Sequence, residues 1–439
     1  MIYLDHAAAT PVSRKAREAM EPYFSELFFN PSAPYLPAKR VRENYEDAKN
    51  RLAHLIGAKG NDLVITSGAT EATNLAFTVL DSINQHPLSL TVHTLSSNDL
   101  AAESRIPTST SIPETEFRTL APVSAPEVLI LETEHASVMS TARKYKYNLI
   151  KVDKNGRIDL SDLQQKITNR TALISVSLVN NELGTIQPLS EIAEIIKKVR
   201  ENRLAEHNRT PLYLHSDASQ ALGLLNINIA RLKVDLLTLN SAKVYGPKGV
   251  GALYVAHGVK LQPISTGGGQ ERGLRSGTEN VAGLIGFAKA AEEAKRHLDS
   301  NRKKYENYRK IFQETLSTSF SKNTTTTSDN TISETPLMLF LGNKKHQLTN
   351  FCPISFPGLD AERLIYKLEE KEVYLSTGAA CAASKGEPSH VLKAIGLSDS
   401  EIAGSLRISF GETNDEEQIR AAANLIATAV REEWSRLIY

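Results

Sequence analysis

The sequence predicts an α/β protein: a large domain built on a mostly parallel sheet, then a smaller α+β domain toward the C-terminal end. Two observations carry this. Through the first two-thirds, short apolar runs of strand length alternate with longer helical patterns, and the residues suited to chemistry all follow strand ends. From about Ser276 the pattern changes to a long helical stretch, Thr278 to Gln313, that crosses into the second domain. The expected division is 15–262 for the large domain, with 1–14 and 263–439 making up the small one.

Asp62 to Thr66 reads as a strand that enters the turn Ser67-Gly68-Ala69-Thr70 and then a helix through Phe77. Glu127 to Leu131 is a second apolar run, ending at Glu134-His135-Ala136-Ser137, and Ala172 to Leu178 is a third, followed by Asn180-Asn181-Glu182-Leu183-Gly184. The helix Leu189 to Arg203 comes next, then the strands Pro211 to His215, Val234 to Leu239 and Gly251 to Val255. Two segments, 86–127 and 321–335, are read as mobile insertions. The first is rich in Ser, Thr, Pro and Glu and the second contains Thr324-Thr325-Thr326-Thr327, compositions that bury too little apolar area to offset the cost of ordering.

Bulk properties narrow the class. The chain has 439 residues, 41% hydrophobic and 23% charged, ordinary values for a soluble protein with a large core. A formal net charge of +1 gives no electrostatic case for nucleic acid or an anionic membrane. Two cysteines cannot build a disulfide framework, which points to a reducing compartment. The start, Met1-Ile2-Tyr3-Leu4-Asp5-His6, lacks the basic and apolar regions of a signal peptide, and no stretch reaches the ~20 apolar residues of a membrane span. The expectation is a soluble cytoplasmic protein with no membrane or direct nucleic-acid partner and no metal centre.

Four positions stand out chemically. Cys381 lies among small residues, Gly378-Ala379-Ala380 before it and Ala382-Ala383-Ser384-Lys385-Gly386 after it, in a loop expected to span 375–390. Little there can pack around the thiol, and a nearby lysine favours a reactive thiolate; an incidental loop cysteine is the alternative. Lys243 follows an apolar strand and precedes Tyr245-Gly246-Pro247-Lys248-Gly249, where partial desolvation lowers the pKa of an amine and suits it to a Schiff base. A snorkelling surface lysine fits the same pattern, and Lys248 competes for the role. Asp217, at the end of the strand Leu212 to Ser216, either caps a helix or partners a buried cation such as a protonated pyridine nitrogen, with Gln220 in reach of the same ligand. Arg407, in the alternating run Ser405 to Phe410, suits bidentate binding of a carboxylate, or it pairs with a structural acid such as Glu412.

Two further features carry less weight alone. The turn Ser67 to Glu71 places small residues and a hydroxyl at a helix N-terminus, a setting for phosphate. His135 ends a strand at the same level of the sheet and could lie on a planar ring, though a lone histidine is more often structural.

Taken together these segments resemble the cysteine desulfurases, pyridoxal-phosphate enzymes of the class V aminotransferase group and of fold type I. The resemblance runs through Tyr3-Leu4-Asp5-His6-Ala7-Ala8-Ala9-Thr10-Pro11, Asn30-Pro31-Ser32, Thr66 to Glu71, Asn180-Asn181-Glu182, Asp217-Ala218-Ser219-Gln220 and Tyr245 to Gly249. It continues through Gly267-Gly268-Gly269-Gln270-Glu271-Arg272-Gly273 and Arg275-Ser276-Gly277-Thr278-Glu279-Asn280, and Gly386-Glu387-Pro388-Ser389-His390 behind Cys381 resembles the longer cysteine-loop version. It implies pyridoxal 5'-phosphate held by Lys243, with Asp217 at the pyridine nitrogen, His135 on the ring, and Gln220 and Asn181 at the ring hydroxyl and substrate side. It implies phosphate binding by Ala69 and Thr70, helped by Thr278 from the second subunit of a homodimer. Arg407 would bind the carboxylate of L-cysteine and Cys381 would take its sulfur, giving L-alanine and a persulfide for an acceptor or scaffold protein in iron–sulfur cluster assembly or tRNA thiolation.

The chain departs from that pattern at the phosphate cup, where Ala242 and Asn240 stand in place of the usual histidine and serine; Ser241 and Asn240 are the expected substitutes. Glu412 stands where arginine is common, and because Tyr439 follows soon after the last helix the expectation is that the scaffold-docking extension of some relatives is absent. A selenocysteine lyase or another enzyme of the group is the first alternative, from which Cys381 distinguishes it. A weakly active sulfur-trafficking or regulatory subunit is the second, and the joint presence of Lys243, Asp217, Arg407 and Cys381 argues against it.

Overall fold

The computed structural model describes residues 1–85, 125–321, 338–378 and 388–438. Cys381, the insertion 86–127 up to residue 124, and the insertion 321–335 from residue 322 lie outside the described residues. The chain opens with a two-residue strand, β1 (Ile2–Tyr3). A seven-stranded sheet follows: β2 (Leu63–Thr66), β3 (Glu127–Leu131), β4 (Lys146–Ile150), β5 (Thr171–Ser175), β6 (Tyr213–Asp217), β7 (Leu236–Asn240) and β8 (Gly251–Val255). Its order is β2-β8-β7-β6-β5-β3-β4, and β8 alone runs against the others.

Strands β3, β5 and β8 are buried along their whole length, which is why they read as continuous apolar runs rather than alternating ones. Helices cover both faces. One face packs Leu129, Ile174, Leu214 and Leu237 against the helices Leu36–Leu55, Leu189–Ala205 and Val281–Arg296; the other packs Val64, Ile130 and Leu253 against Ala69–Phe77.

The smaller unit has β9 (Leu339–Phe340), β10 (Ile354–Ser355) and β12 (Ser405–Leu406) in an antiparallel sheet, while β11 (Val373–Tyr374) pairs in parallel with β1. Its core joins Leu4 to Tyr305, Phe312, Phe356, Phe410 and the helix Glu416–Ile438. The stretch from Thr278 to Gln313 is not one helix. It is Val281–Arg296 and Leu298–Ser321, separated at His297. The first of these contributes Leu284, Phe287 and Ala291 to the core of the large sheet, and the second contributes Tyr305, Phe312 and Leu316 to the small core. The break turns the apolar stripe from one core to the other. Among the described residues no helix is long and apolar enough to cross a membrane, and no group of His, Cys, Asp and Glu is placed to hold a metal ion.

Candidate active site

Strand ends on one edge of the large sheet bring the sequence-nominated residues together. β6 ends at Asp217, whose Oδ1 accepts from Ser219 N at 2.8 Å in a tight side-chain turn. The carboxylate is buried, and among the described residues no cation lies within ion-pair distance of it. β7 ends at Asn240, whose side chain caps the short turn Ser241–Lys243 by accepting from Ala242 N at 3.1 Å. Thr10 locks that turn from outside: its N and Oγ1 donate to Ala242 O at 3.0 and 3.1 Å, and its Oγ1 accepts from Tyr245 N at 2.8 Å. Lys243 Nζ donates to Ala7 O at 2.9 Å and to Ala8 O, and Gln220 Nε2 donates to Ala7 O at 2.9 Å. Lys248 is exposed, so of the two candidate lysines it is Lys243 that faces this assembly.

His135 caps the helix Ala136–Ala142, its Nδ1 accepting from Ser137 N at 3.1 Å. That acceptor role leaves the neutral ring its proton on Nε2. Burial holds the imidazole below its ordinary pKa; Asp217 opposes the shift, whereas Lys243, His390 and Arg407 add to it. Before it in the chain, Glu134 is fully buried with Oε1 accepting from Ser177 N at 2.6 Å and Oε2 bonded to Ser177 Oγ. Burial pushes its carboxyl up to about 8, with the Asp217 charge adding to the effect against the Ser177 hydrogen bonds.

The turn after β5 is built by Asn180, whose Oδ1 accepts from Glu182 N and Leu183 N at 2.9 and 2.8 Å and whose Nδ2 reaches Thr133 O at 2.9 Å. Asn181 in that turn offers its carbonyl to Arg407 Nη1 at 3.3 Å. Arg407 is not paired with Glu412. Its Nε and Nη2 donate to Asp5 Oδ1 at 3.2 and 2.7 Å. Glu182, buried beside them, accepts from Ser389 Oγ at 2.6 Å, and burial raises its pKa.

The N-terminal turn of the helix Ala69–Phe77 has no side-chain cap, so the N–H groups of Ala69, Thr70 and Glu71 have no acceptor within the helix. Gly251 brings this turn against β7: a Cβ there would fall 2.8 Å from both Gly68 Cα and Leu239 O. Glu71 receives Ser67 N at 2.6 Å and Arg275 Nε at 3.1 Å, which pins the glycine-rich segment beside the turn. Two nominated groups sit elsewhere. The Ser241 hydroxyl is fully buried against Gly246 with no hydrogen-bond partner among the described residues, and Thr278 is exposed on the isolated chain. Cys352, the other cysteine, is buried in the small core, and its thiol is pushed up to about 12 by burial.

The donor set fits a planar cofactor bearing an anionic group. A buried carboxylate with no ion-pair partner among the described residues suits a ring N–H⁺, the lysine amine is held at the same sheet edge, and the open helix N-terminus suits a phosphate. The N-terminal motif around Asp5–Ala8 carries the resemblance but no assigned role in the sequence; in the fold its turn is the common acceptor of Lys243, Gln220 and Arg407. Two of its three acceptors are backbone carbonyls, which leave no mark in side-chain identity.

The model of the family Aminotransferase class-V matches residues 2–93 and 119–421. A curated relative, "Cysteine desulfurase IscS 1" of Archaeoglobus fulgidus, is 34% identical over 95% of this chain and 94% of its own. The solved structure "NIFS-LIKE PROTEIN" superposes with a TM-score of 0.79 at 26% identity, covering 98% of this chain and 99% of that one. A second, "SspA in complex with cysteine", gives a TM-score of 0.69 at 26% identity over 93% of this chain and 99% of that one. With a family model over most of its length and a desulfurase relative end to end, the chain belongs to the class-V aminotransferase family and, within it, to the cysteine desulfurases.

Proposed function

We propose that this chain is a pyridoxal 5'-phosphate-dependent cysteine desulfurase that takes sulfur from L-cysteine, releases L-alanine and passes the sulfur from a persulfide on Cys381 to an acceptor protein. The observation that supports this most is the convergence of Asp217, Lys243, His135 and Arg407, since the charges of the other three all act on the His135 ring. Lys243 would hold the cofactor through Nζ, Asp217 would face its ring nitrogen, and the N–H groups at Ala69 and Thr70 would meet its phosphate. Bound there, the cofactor supplies an electron sink that makes the Cβ–Sγ bond of the substrate labile. Arg407 holds the substrate carboxylate, while Gln220 and Asn181 border the ring and the substrate. His135, kept neutral by burial, offers its Nε2 proton. The Cys381 thiolate takes the substrate sulfur, the S–S bond forming as Cβ–Sγ breaks, and the carbon left behind gains a proton to become L-alanine.

Asn240 and Ala242 shape the turn that carries Lys243, Asn240 Oδ1 accepting from Ala242 N. Thr278, exposed on one chain, would complete the phosphate site of a partner copy in a homodimer. The near absence of cysteine fits work in the cytoplasm, with a scaffold for iron–sulfur clusters or a carrier for tRNA thiolation as acceptor. The test is direct. Purified protein given the cofactor should turn yellow, borohydride should fix the label on Lys243, and L-cysteine should yield L-alanine and sulfur one for one. A colourless protein, label on Lys248, or no L-alanine would overturn the reading. For the homodimer, mixing Thr278→Val with Lys243→Ala subunits should restore one competent site per mixed dimer, and two inactive sites would refute the shared site.

A further inference from the structure

Arg407 is buried, and its guanidinium is already engaged on one edge. Nε and Nη2 both donate to Asp5 Oδ1, at 3.2 and 2.7 Å, and Nη1 donates to Asn181 O at 3.3 Å. A guanidinium has five N–H groups, so these contacts leave one on Nη1 and one on Nη2. Asp5 takes the side edge, and Nη1 and Nη2, each keeping an N–H, together form the end edge of the fork, the edge that grips a carboxylate with two parallel hydrogen bonds. Asp5 itself is held on every side. Its backbone bridges to Ser409, its carbonyl accepts from Tyr3 Oη at 2.8 Å and Ala8 N at 2.9 Å, and β1 before it pairs with β11. The same turn receives Lys243 and Gln220 on its carbonyls at Ala7.

We infer that Asp5 is a positioning residue for substrate carboxylate: it clamps the side edge of Arg407 so that the end edge is presented to an α-amino acid before one arrives. The inference rests on the desulfurase reading for its substrate but not for its geometry. A long side chain that must be ordered during binding weakens that binding, and one ordered in advance does not. Substrate carboxylate then joins as a second partner on a different edge. Because Asp5 touches Arg407 rather than the reacting atoms, its loss should appear in affinity and leave the chemical step intact.

The experiment compares the parent holoenzyme with Asp5→Ala and Asp5→Asn by calorimetric titration with L-alanine, alongside kcat and KM for L-cysteine and the visible absorbance of the cofactor. Asp5→Ala should weaken L-alanine binding and raise KM by about tenfold, the effect of ordering one long side chain, with kcat within about threefold and absorbance unchanged. Asp5→Asn keeps an oxygen acceptor for Nε and Nη2 and should return affinity to within about threefold of the parent. Unchanged affinity in Asp5→Ala, an Asp5→Asn variant as weak as Asp5→Ala, or loss of cofactor absorbance along with affinity would each overturn the role, the last by making Asp5 structural. A parent that binds L-alanine but makes none from L-cysteine would instead defeat the desulfurase reading, and the L-alanine titrations would still decide the role of Asp5.

Discussion

Replacing Glu134 by glutamine should stabilise the protein, and more so at higher pH. The carboxyl is buried, held by Ser177 N and Oγ, and pushed up to about 8 from an ordinary 4.5. Below 4.5 the group is protonated in both folded and unfolded chains and costs nothing. Between those values the folded state keeps a proton the unfolded chain has released, so stability falls by about 1.4 kcal/mol per pH unit as pH rises. Above 8 the cost is constant. The penalty is then about 1 kcal/mol at pH 5.5 and about 4 kcal/mol at pH 7.5, as orders of magnitude. Glutamine keeps an oxygen for Ser177 N and an amide for Ser177 Oγ but never ionises. Urea unfolding of parent and Glu134→Gln in the same cofactor state, at both pH values, should show a gain larger at pH 7.5 by about 2–3 kcal/mol. An equal gain at the two values, or a loss at both, would refute the claim that this acid is protonated in the folded state.

Lys49 and Glu271 form an ion pair almost out of water, at 2.7 Å, and the same carboxylate also receives Tyr45 Oη at 2.6 Å and Ile65 N at 2.8 Å. Lys49→Met should cost about 3–5 kcal/mol in urea unfolding, because it strands a buried charge, and a loss well under ~1 kcal/mol would contradict that. Gly184 has φ +71 and a Cβ there would lie 2.5 Å from Phe351 Cγ, so Gly184→Ala should lower stability by at least about 1–2 kcal/mol from the backbone alone; an unchanged melting temperature would count against the packing described. Cys352→Ala should leave persulfide and L-alanine formation in place, since a thiol at about 12 is scarcely ionised at neutral pH, while Cys381→Ser should abolish both by mass spectrometry. The opposite result would exchange the two assignments.

Strands buried on both faces announce themselves as apolar runs, and β3 and β8 begin and end where the composition says they do. Asp217 and Lys243 were legible for the same reason, each standing just past such a run. β4 was not: Lys146, Tyr147 and Asn148 are exposed on an edge strand, and a strand with one free side needs no apolar pattern. Nor was the break at His297, because both flanking segments are helical by periodicity and only the position of two separate cores decides where the stripe must turn.

The site divides along the same line. Sequence by itself determined the fold class and the family and nominated candidate residues for the chemistry, since each depends on local runs and ordered motifs. Tertiary structure alone decided what those residues touch: that Arg407 leans on Asp5 rather than Glu412, that Ser241 turns its hydroxyl toward Gly246, and that Lys243 meets the carbonyls of Ala7 and Ala8. The contacts of Arg407 and Lys243 join positions hundreds of residues apart, and those of Lys243 end on backbone atoms that every residue carries. Periodicity and motif spacing register side-chain type along the chain, whereas a hydrogen bond of this kind depends only on where the folded backbone places its acceptor.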